Sequence, residues 1–205
     1  MLKYYYGVMN SGKSASLLMS VFQKEKDGYN CLILKPYEER DKNEVSSRVG
    51  LKRECITFTN EDNLIKLIAN LNYKHYPIEY IFVDECQFLT KDQVKQLWEL
   101  SQIDGINVMC FGLKTSFKNE LFESVETLMV YADKIKTIQP ESGCQKCDGV
   151  AITHLLLVND KAVLDYPTKF EGDVKGDIRF ECVCQKCWYK KVKEDNESVN
   201  DIHVF

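Results

Sequence analysis

Residues 7–14 read Gly-Val-Met-Asn-Ser-Gly-Lys-Ser and have the pattern G-x-x-x-x-G-K-[ST] of a phosphate-binding P-loop. Gly7 and Gly12 allow backbone conformations in which consecutive N–H groups turn inward around phosphate oxygens. Lys13 brings a positive charge to the β- and γ-phosphates, and the hydroxyl of Ser14 is a ligand for Mg²⁺. The residues predicted to bind a nucleoside triphosphate are Gly7, Val8, Met9, Asn10, Ser11, Gly12, Lys13 and Ser14.

The segments on both sides of this motif fit a phosphate site. An apolar run at residues 2–6 comes before it, and Leu17, Leu18, Val21 and Phe22 follow it at helical spacing. A strand, a loop and a helix in this order place the phosphates at the N-terminus of the helix, where free N–H groups favour an anion. A glycine and serine turn that binds nothing is the alternative, and the flanking pattern makes it much less favoured.

Length and composition set the broad class of the protein. The chain has 205 residues, of which 44% are hydrophobic, enough for one full core and a small appendage. Its net charge of −4 argues against broad electrostatic attachment to nucleic acid. There is no run of 18 apolar residues and no charged-then-apolar leader, so we expect a cytoplasmic enzyme without a membrane partner.

Strand-like and helix-like segments alternate along the chain. The predicted strands are residues 2–6, 31–34, 80–83, 107–111 and 134–138. The predicted helices follow Ser14 and cover 61–71, 90–100 and 121–131, and Thr90 with Gln93 resembles a capping box that opens the third of them. This alternation predicts an α/β fold with a parallel sheet covered on both faces by helices. Residues 37–54 are charged and nonperiodic, and we expect a flexible functional loop there. Chemistry should lie at the carboxyl ends of the strands, where Gly7, Asp84 and Gly112 fall.

Asp84 and Glu85 form the second informative site. The apolar strand at residues 80–83 delivers Asp84 to the edge of the sheet, where its carboxylate could hold Mg²⁺ directly or through water. The neighbouring Glu85 is a candidate general base that removes a proton from an attacking hydroxyl or water. Two acidic residues after a strand can also mark a solvated turn, but the P-loop earlier in the chain favours the functional interpretation.

The cysteines divide into two groups. Two C-x-x-C pairs, Cys144 with Cys147 and Cys184 with Cys187, read as a structural Zn²⁺ site with four thiolate ligands. A thioredoxin-like redox motif needs only one pair, and disulfides are disfavoured in a reducing compartment. Cys182 is interpreted as a packing residue. The cysteines in or just before apolar segments, which we expect to be small buried hydrophobes, are Cys31, Cys55, Cys86 and Cys110.

A P-loop followed by a four-cysteine module resembles the zinc-containing, cytosolic type of thymidine kinase, and the similarity covers residues 4–190. Residues 7–14 resemble that family's G-P-M-F-S-G-K-[ST], with Val8 and Asn10 in place of its Pro and aromatic residue. Residues 84–88 resemble its D-E-[AG]-Q-F, and residues 112–117 resemble its G-L-D-x-D-F. The resemblance implies a RecA-like P-loop domain with a mostly parallel sheet and a small zinc-binding domain with a lasso-like loop.

The resemblance also implies roles for individual residues. Glu85 would be the general base for the sugar 5′-hydroxyl, and Asp84 and Gln87 would belong to the ATP site. The residues that would bind the nucleoside are Phe88, Phe117, Thr153, Val174, Lys175, Gly176, Asp177, Ile178 and Phe180. Residues 174–180 have the length of the family's I-G-G-x-E-x-Y lasso, which closes over the thymine ring mainly through main-chain groups.

As for activity, the resemblance implies transfer of the γ-phosphate of ATP to thymidine, with deoxyuridine as an alternative acceptor, to give dTMP in nucleotide salvage for DNA synthesis. The implied cofactors are Mg²⁺ with ATP and structural Zn²⁺. The family also implies a homotetramer and feedback inhibition by dTTP.

Several positions depart from the family pattern. Lys114 stands where the family has Asp, Leu121 replaces a Pro, and Phe180 replaces Tyr. Arg40 lies one residue early for the family's D-x-R-Y, so Arg40 and Arg48 are both candidates to stabilise the transferring phosphate. An ordinary solvated arginine is the alternative for each.

We predict a P-loop domain at residues 1–138, a zinc-binding and lasso domain at 139–191 and a disordered tail at 192–205. A second functional hypothesis is a RecA-like ATPase, or a zinc-ribbon module that grips nucleic acid. A third is a nucleotide sensor without catalysis. A nucleic-acid ribbon should present basic and aromatic residues, but the stretch after the first cysteine pair carries the acidic residues Asp165, Glu171, Asp173 and Asp177.

Overall fold

The computed structural model describes residues 1–37, 43–74, 77–138, 143–166 and 177–196, with the backbone alone for 72–74. The chain forms two compact units. The first comprises Met1–Lys114 and Leu121–Gln139, and the second comprises Thr115–Glu120 and Pro140–Phe205. The predicted limits of the domains, 1–138 and 139–191, stay a prediction.

The first unit is built on a parallel sheet. Its strands are β1 (Leu2–Tyr6), β2 (Cys31–Pro36), β3 (Glu44–Ser46), β4 (Lys52–Glu54), β5 (Ile56–Phe58), β6 (Tyr80–Val83), β7 (Asn107–Gly112) and β8 (Lys134–Thr137). Six of these pair in parallel in the order β5-β2-β6-β7-β1-β8. The predicted parallel sheet is therefore confirmed, and each of the five predicted strands is present in it.

Helices cover both faces of this sheet. They are α1 (Lys13–Lys26), α2 (Leu64–Lys74), α3 (Lys91–Ile103) and α4 (Glu123–Tyr131), with a 3₁₀ turn at Cys86–Phe88. Side chains alternate along β6, so that Ile81 packs with Leu97 of α3 on one face, and Phe82 packs with Val21 of α1 on the other. This alternation gives the sheet two apolar clusters, which hold its carboxyl edge in place.

Local capping signals fix the start of α3. The Thr90 hydroxyl accepts a hydrogen bond from the Gln93 N–H, and the Gln93 side chain accepts one from the Thr90 N–H, both at 3.1 Å. The predicted capping box at these two residues is confirmed.

The prediction of a flexible loop at residues 37–54 is wrong for the part that the structure describes, residues 37 and 43–54. Strands β3 and β4 pair there as an antiparallel hairpin. Val45 is fully buried and packs in the cluster that contains Ile33 and Cys55. Its partners are distant in sequence or on other strands, so the local pattern of charges did not reveal the hairpin.

The second unit is a small antiparallel sheet with one helix. Its elements are β9 (Thr153–Val158), β10 (Lys161–Ala162), β11 (Ile178–Val183) and α5 (Gln185–Asp195), and the strands pair in the order β10-β9-β11. Trp188 of α5 is buried with Leu155 and Leu157 of β9, and its ring N–H donates to the Phe117 carbonyl at 3.0 Å.

The predicted start of the tail at residue 192 is wrong. Helix α5 continues to Asp195, because Val192 is buried in the core of the second unit and Asp195 accepts a hydrogen bond from the Ala162 N–H at 2.6 Å. The rest of the predicted tail, residues 197–205, lies outside the described residues.

None of the helices in the described ranges combines the length and the apolar character that crossing a membrane requires.

Candidate active site and metal centre

The predicted phosphate and metal residues meet at the carboxyl edge of the parallel sheet. The P-loop follows β1, and Asp84 follows β6. β7 ends at Gly112, whose carbonyl accepts a hydrogen bond from the Gly7 N–H at 3.3 Å. Strand ends that are neighbours in a parallel sheet share one edge, so the fold itself brings these segments together.

The P-loop has a backbone shape that suits phosphate. Gly12 has φ 82° and Asn10 has φ 63°, which turns the chain through the left-handed region. A Cβ at Gly7 would lie 2.4 Å from the Ile138 carbonyl oxygen and from Ser11 Oγ, so no larger residue fits there without a shift. Helix α1 then begins without a side-chain cap, which leaves its first N–H groups for an anion.

Lys13 lies inside this loop. Its side chain is buried, and Nζ donates a hydrogen bond to the Val8 carbonyl at 2.9 Å. The Ser11 hydroxyl is also buried and has no hydrogen-bond partner among the described residues. A buried cation and an unsatisfied hydroxyl within one loop are suited to phosphate oxygens.

Ser14 and Asp84 lie close enough to share a metal ion. The Ser14 hydroxyl donates to one Asp84 carboxylate oxygen at 3.1 Å. Burial and the neighbouring Glu85 carboxylate raise the pKa of Asp84 to about 7, against the opposing effects of Lys35 and Ser14. A hydroxyl and a carboxylate are the oxygen ligands that Mg²⁺ prefers, so these two residues fit that ion.

Glu85 has an unusual backbone conformation. Its φ and ψ are 51° and 41°, in the left-handed region that a residue with a side chain seldom adopts. It is half-buried, and its carboxylate accepts a hydrogen bond from Gln87 Nε2 at 2.5 Å. This strained position beside Asp84 presents a carboxylate at the phosphate edge of the sheet.

The residues predicted to bind a nucleoside fall in both units. In the first, the Phe88 ring is 42% exposed and meets Phe122 edge to face at 6.2 Å. In the second, Phe117 lies 6.5 Å from Phe180, ring centre to ring centre. Thr153 is fully buried, and its hydroxyl has no hydrogen-bond partner among the described residues.

The remaining residues predicted to bind nucleoside or phosphate are exposed, lie at a strand end or fall outside the described ranges. The Asp177 carboxylate forms an ion pair with the Arg179 guanidinium, with an N–O distance of 3.0 Å. Ile178 is the first residue of β11. Arg48 is exposed in the turn between β3 and β4. The predicted residues outside the described ranges are Arg40, Val174, Lys175 and Gly176.

Lys114, the charge reversal against the family pattern, has a local partner. Its Nζ lies 5.6 Å from the centre of the Tyr6 ring, at a distance suited to a cation–π interaction. The structure therefore accommodates this lysine through an aromatic residue at the end of β1.

Two residues near the site were missed in the sequence. Lys35 is buried at the end of β2, next to the strand that delivers Asp84, and it opposes the rise in the pKa of Asp84. The hydroxyl of the fully buried Tyr4 donates to the Leu113 carbonyl at 2.7 Å, just after β7. Lys35 could have been found as a lysine at the end of an apolar strand. The role of Tyr4 depends on a contact between residues that are distant in sequence, which the sequence does not show.

The second C-x-x-C pair meets the first. The ligand atoms of Cys144, Cys147, Cys184 and Cys187 all lie within 4.8 Å of one another. The Cys147 sulfur lies 3.7 Å from that of Cys184 and 3.5 Å from that of Cys187. Tetrahedral Zn²⁺ with bonds of about 2.3 Å places its sulfurs about 3.8 Å apart. The four cysteines can therefore hold a metal ion such as zinc.

The pKa values of these thiols reflect how closely the four sulfurs lie together. Burial opposes ionisation of Cys144, but hydrogen bonds from the backbones of Cys184 and Lys146 lower the pKa of its thiol to about 7. The pKa of Cys187 is raised to about 12, first by its hydrogen bond with Cys147 and then by burial. Four thiols this close cannot all lose their protons unless a cation lies among them.

The remaining cysteines lie outside this cluster. Cys182 is buried and is not among the four grouped sulfurs. Cys55, Cys86 and Cys110 are buried, as expected of small apolar side chains, whereas Cys31 is only half-buried.

Known proteins resemble the chain along nearly its whole length. The family model described as thymidine kinase matches residues 1–188, which include the P-loop and all four clustered cysteines. The chain is 31% identical over 202 residues to the thymidine kinase of Photorhabdus laumondii, with 98% of each chain covered. It is 35% identical over 201 residues to that of Enterococcus faecalis, with 95% of this chain and 98% of the relative covered. With that of Shewanella oneidensis the identity is 33% over 190 residues, with 90% and 94% covered.

Proposed function

The chain belongs to the thymidine kinase family, and we infer from this membership that it transfers the γ-phosphate of ATP to the 5′-hydroxyl of thymidine. The observation that carries this conclusion is the family match over residues 1–188. The matched range includes the P-loop and the acidic pair Asp84 and Glu85, which lie at the same edge of the sheet. Neither the described structure nor the relatives favour a RecA-like ATPase or a zinc-ribbon module that binds nucleic acid.

The P-loop would hold the phosphates of ATP. Its backbone N–H groups and the uncapped start of α1 would bind the phosphate oxygens, and Lys13 would exchange its bond with the Val8 carbonyl for the β- and γ-phosphates. Ser14 and Asp84 would hold Mg²⁺, which when bound neutralises charge on the phosphates. The protein's contribution at this step is positioning and charge stabilisation in a site that is already formed.

Glu85 would act as the general base. Its carboxylate takes the proton of the thymidine 5′-hydroxyl as that oxygen bonds to the γ-phosphorus. The bond from the γ-phosphorus to the bridging oxygen breaks. ADP leaves with that oxygen and with the electron pair of the broken bond. Its position directly after Asp84, at the phosphate edge, supports this assignment.

The nucleoside would be bound by aromatic and main-chain groups. Phe88, Phe117 and Thr153 are the described candidates, and residues 174–180 would close over the base. The buried hydroxyl of Thr153, without a partner among the described residues, supports a contact with a ligand, because such a group is costly unless it is hydrogen-bonded. Arg40 and Arg48 remain the two candidates for contact with the transferring phosphate.

Zinc would be structural. Four thiolates complete a tetrahedral coordination shell, so no position is left for a substrate. The ion would join Cys144 and Cys147, before β9, to Cys184 and Cys187, at the N-terminal end of α5.

Family membership also supports four broader proposals: a homotetramer, feedback inhibition by dTTP, a cytoplasmic location and a role in nucleotide salvage for DNA synthesis. Gel filtration with light scattering tests the first, and inhibition of turnover by dTTP tests the second.

The test of the proposed function is a product analysis. The purified protein is incubated with Mg²⁺, γ-labelled ATP and thymidine, deoxyuridine, deoxyguanosine or no acceptor. We expect labelled dTMP from thymidine, no product from deoxyguanosine, and little free phosphate without an acceptor. Rapid release of phosphate without an acceptor would identify an ATPase, and ATP binding without turnover would identify a sensor.

A further inference from the structure

Gln87 uses both ends of its side-chain amide inside the first unit. Its Oε1 accepts a hydrogen bond from the Leu113 backbone N–H at 3.0 Å, and its Nε2 donates to a Glu85 carboxylate oxygen at 2.5 Å. A backbone N–H can only donate, so the oxygen must face Leu113 and the NH₂ group must face Glu85. Both partners therefore agree on one orientation of the amide.

The surroundings of Gln87 restrict the movement of its side chain. The residue is 4% exposed, and its own carbonyl accepts a hydrogen bond from the Ser124 hydroxyl at 2.8 Å. A Cβ at Gly112 would lie 2.5 Å from Gln87 Oε1, so the glycine leaves room for the amide. On its far side, the carbonyl of Leu113 is held by the Tyr4 hydroxyl at 2.7 Å. The amide is thus anchored to the backbone that follows the central strand β7.

We propose that Gln87 is a positioning residue that holds the Glu85 carboxylate for proton transfer. This inference rests on the proposed role of Glu85 as the base. Family resemblance implies an ATP contact for Gln87, whereas the bonds of its buried amide to Leu113 and Glu85 support the positioning role. One carboxylate oxygen is held by Nε2, and the other is left to take the proton of the acceptor hydroxyl.

Glu85 needs such a partner for a physical reason. Its backbone is in the left-handed region and its side chain is only half-buried, so little packing restricts its torsions. A base acts efficiently only within hydrogen-bond reach of the proton it removes, and small displacements lower the rate steeply. The anchored amide converts a carboxylate with several possible orientations into one with a single orientation.

The test compares two variants of Gln87. Gln87→Glu keeps the oxygen that accepts from Leu113 but removes the donor to Glu85, and Gln87→Met removes both without adding a charge. For each we expect a fall in kcat of about ten- to a hundredfold, with KM for ATP and thymidine within about threefold of the wild type. If Gln87→Glu does not fold, Gln87→Met decides.

Gln96→Glu is the matched control, because Gln96 Oε1 also accepts from a backbone N–H, that of Leu64, at 2.7 Å. Gln96 lies on α3, and we expect the control to keep its kcat. A positioning role further requires that the Gln87 changes have little added effect when combined with Glu85→Gln, because the carboxylate they orient is gone.

The proposal is overturned if both Gln87 variants keep more than half of wild-type kcat, if KM for ATP rises in place of a fall in kcat, or if the loss is as large in the Glu85→Gln background. Failure of the proposed function is distinguishable, because it appears in the wild type as absence of dTMP before any variant is compared.

Discussion

The P-loop and the four-cysteine cluster are both suited to bind charged groups, but they differ in how far their geometry depends on the bound group. In the loop, left-handed residues, an uncapped helix start and the buried Lys13 give a geometry that suits an anion without any added ligand. In the cluster, four thiols lie within 4.8 Å of one another and cannot all ionise without a cation. We therefore expect the first site to be formed by folding alone and the second to depend on its metal.

The cores beneath the two sites agree with this contrast. Among the described residues, the two clusters of the first unit contain eighteen and nine buried residues, and the cluster of the second unit contains seven, one of which is Cys144 of the four-cysteine cluster. Small cores bury little apolar surface against the chain entropy lost on folding, and small domains often rely on a metal or disulfides for that reason. We therefore expect the metal to supply much of the stability of the second unit.

The largest expected effect is that of removing the metal. The purified protein should contain one zinc per chain, and Cys184→Ser should lose it together with stabilisation on the order of 10 kcal/mol. Hydrogen exchange should then show loss of protection in β9, β11 and α5, while the sheet of the first unit stays protected.

Cys182→Ser is the control, since this buried cysteine lies outside the metal cluster. It should keep the zinc. Elemental analysis that finds no zinc in protein purified without chelator, or a Cys184→Ser variant with unchanged protection, would contradict the contrast between the two sites.

Next in size is the loss of the loop's cation. Lys13→Ala should lower phosphoryl transfer by at least about a thousandfold, because the charge opposite the β- and γ-phosphates is lost. The fold should remain, since the loop is shaped mainly by its backbone. Steady-state kinetics and circular dichroism check both parts, with Lys26→Ala at the other end of α1 as the control. A folded and fully active Lys13→Ala protein would refute the P-loop assignment.

Much of the fold and of the candidate site could be predicted from short sequence patterns. The P-loop, the capping box at Thr90 and the paired cysteines depend on residues a few positions apart, and the structure has the expected geometry at each of them. The alternation of apolar segments was enough for five of the eight strands and for all four helices described in the first unit. Patterns of this kind are visible in one sequence because neighbours in the chain are also neighbours in space.

The features that were missed depend on contacts between distant residues. The hairpin of β3 and β4 is stabilised by burial of Val45, and its strands of three residues are too short to show a period. β5, another strand of three residues, was missed for the same reason. The double hydrogen bonding of Gln87 requires Leu113, which is brought near only by the pairing of β6 with β7.

A smaller effect is expected from ligand closure in the second unit. If residues 174–180 close over a pyrimidine, thymidine or dTTP should slow limited proteolysis between Lys161 and Arg179 by about tenfold or more, by lowering the population of open forms. Deoxyguanosine should not. Equal protection by both nucleosides, or by neither, would remove this segment from the substrate site.

The smallest effect concerns the framework of the first unit. Thr90→Ala removes one half of the capping box of α3 and should lower the free energy of unfolding by about 1 kcal/mol, with kcat unchanged. Urea unfolding of the zinc-loaded protein measures the change. A fall in kcat as large as that for a P-loop variant would contradict this expectation. It would mean that the geometry of the P-loop and Asp84 depends on the capping of α3.

The most direct test of the central claim is the turnover of Glu85→Gln with thymidine and ATP, measured alongside its affinity for ATP by calorimetry. If Glu85 is the base of a thymidine kinase, kcat should fall by about 10² to 10⁴ fold while the Kd for ATP stays within about threefold of the wild type. A variant that makes dTMP at more than half of the wild-type rate would contradict the account.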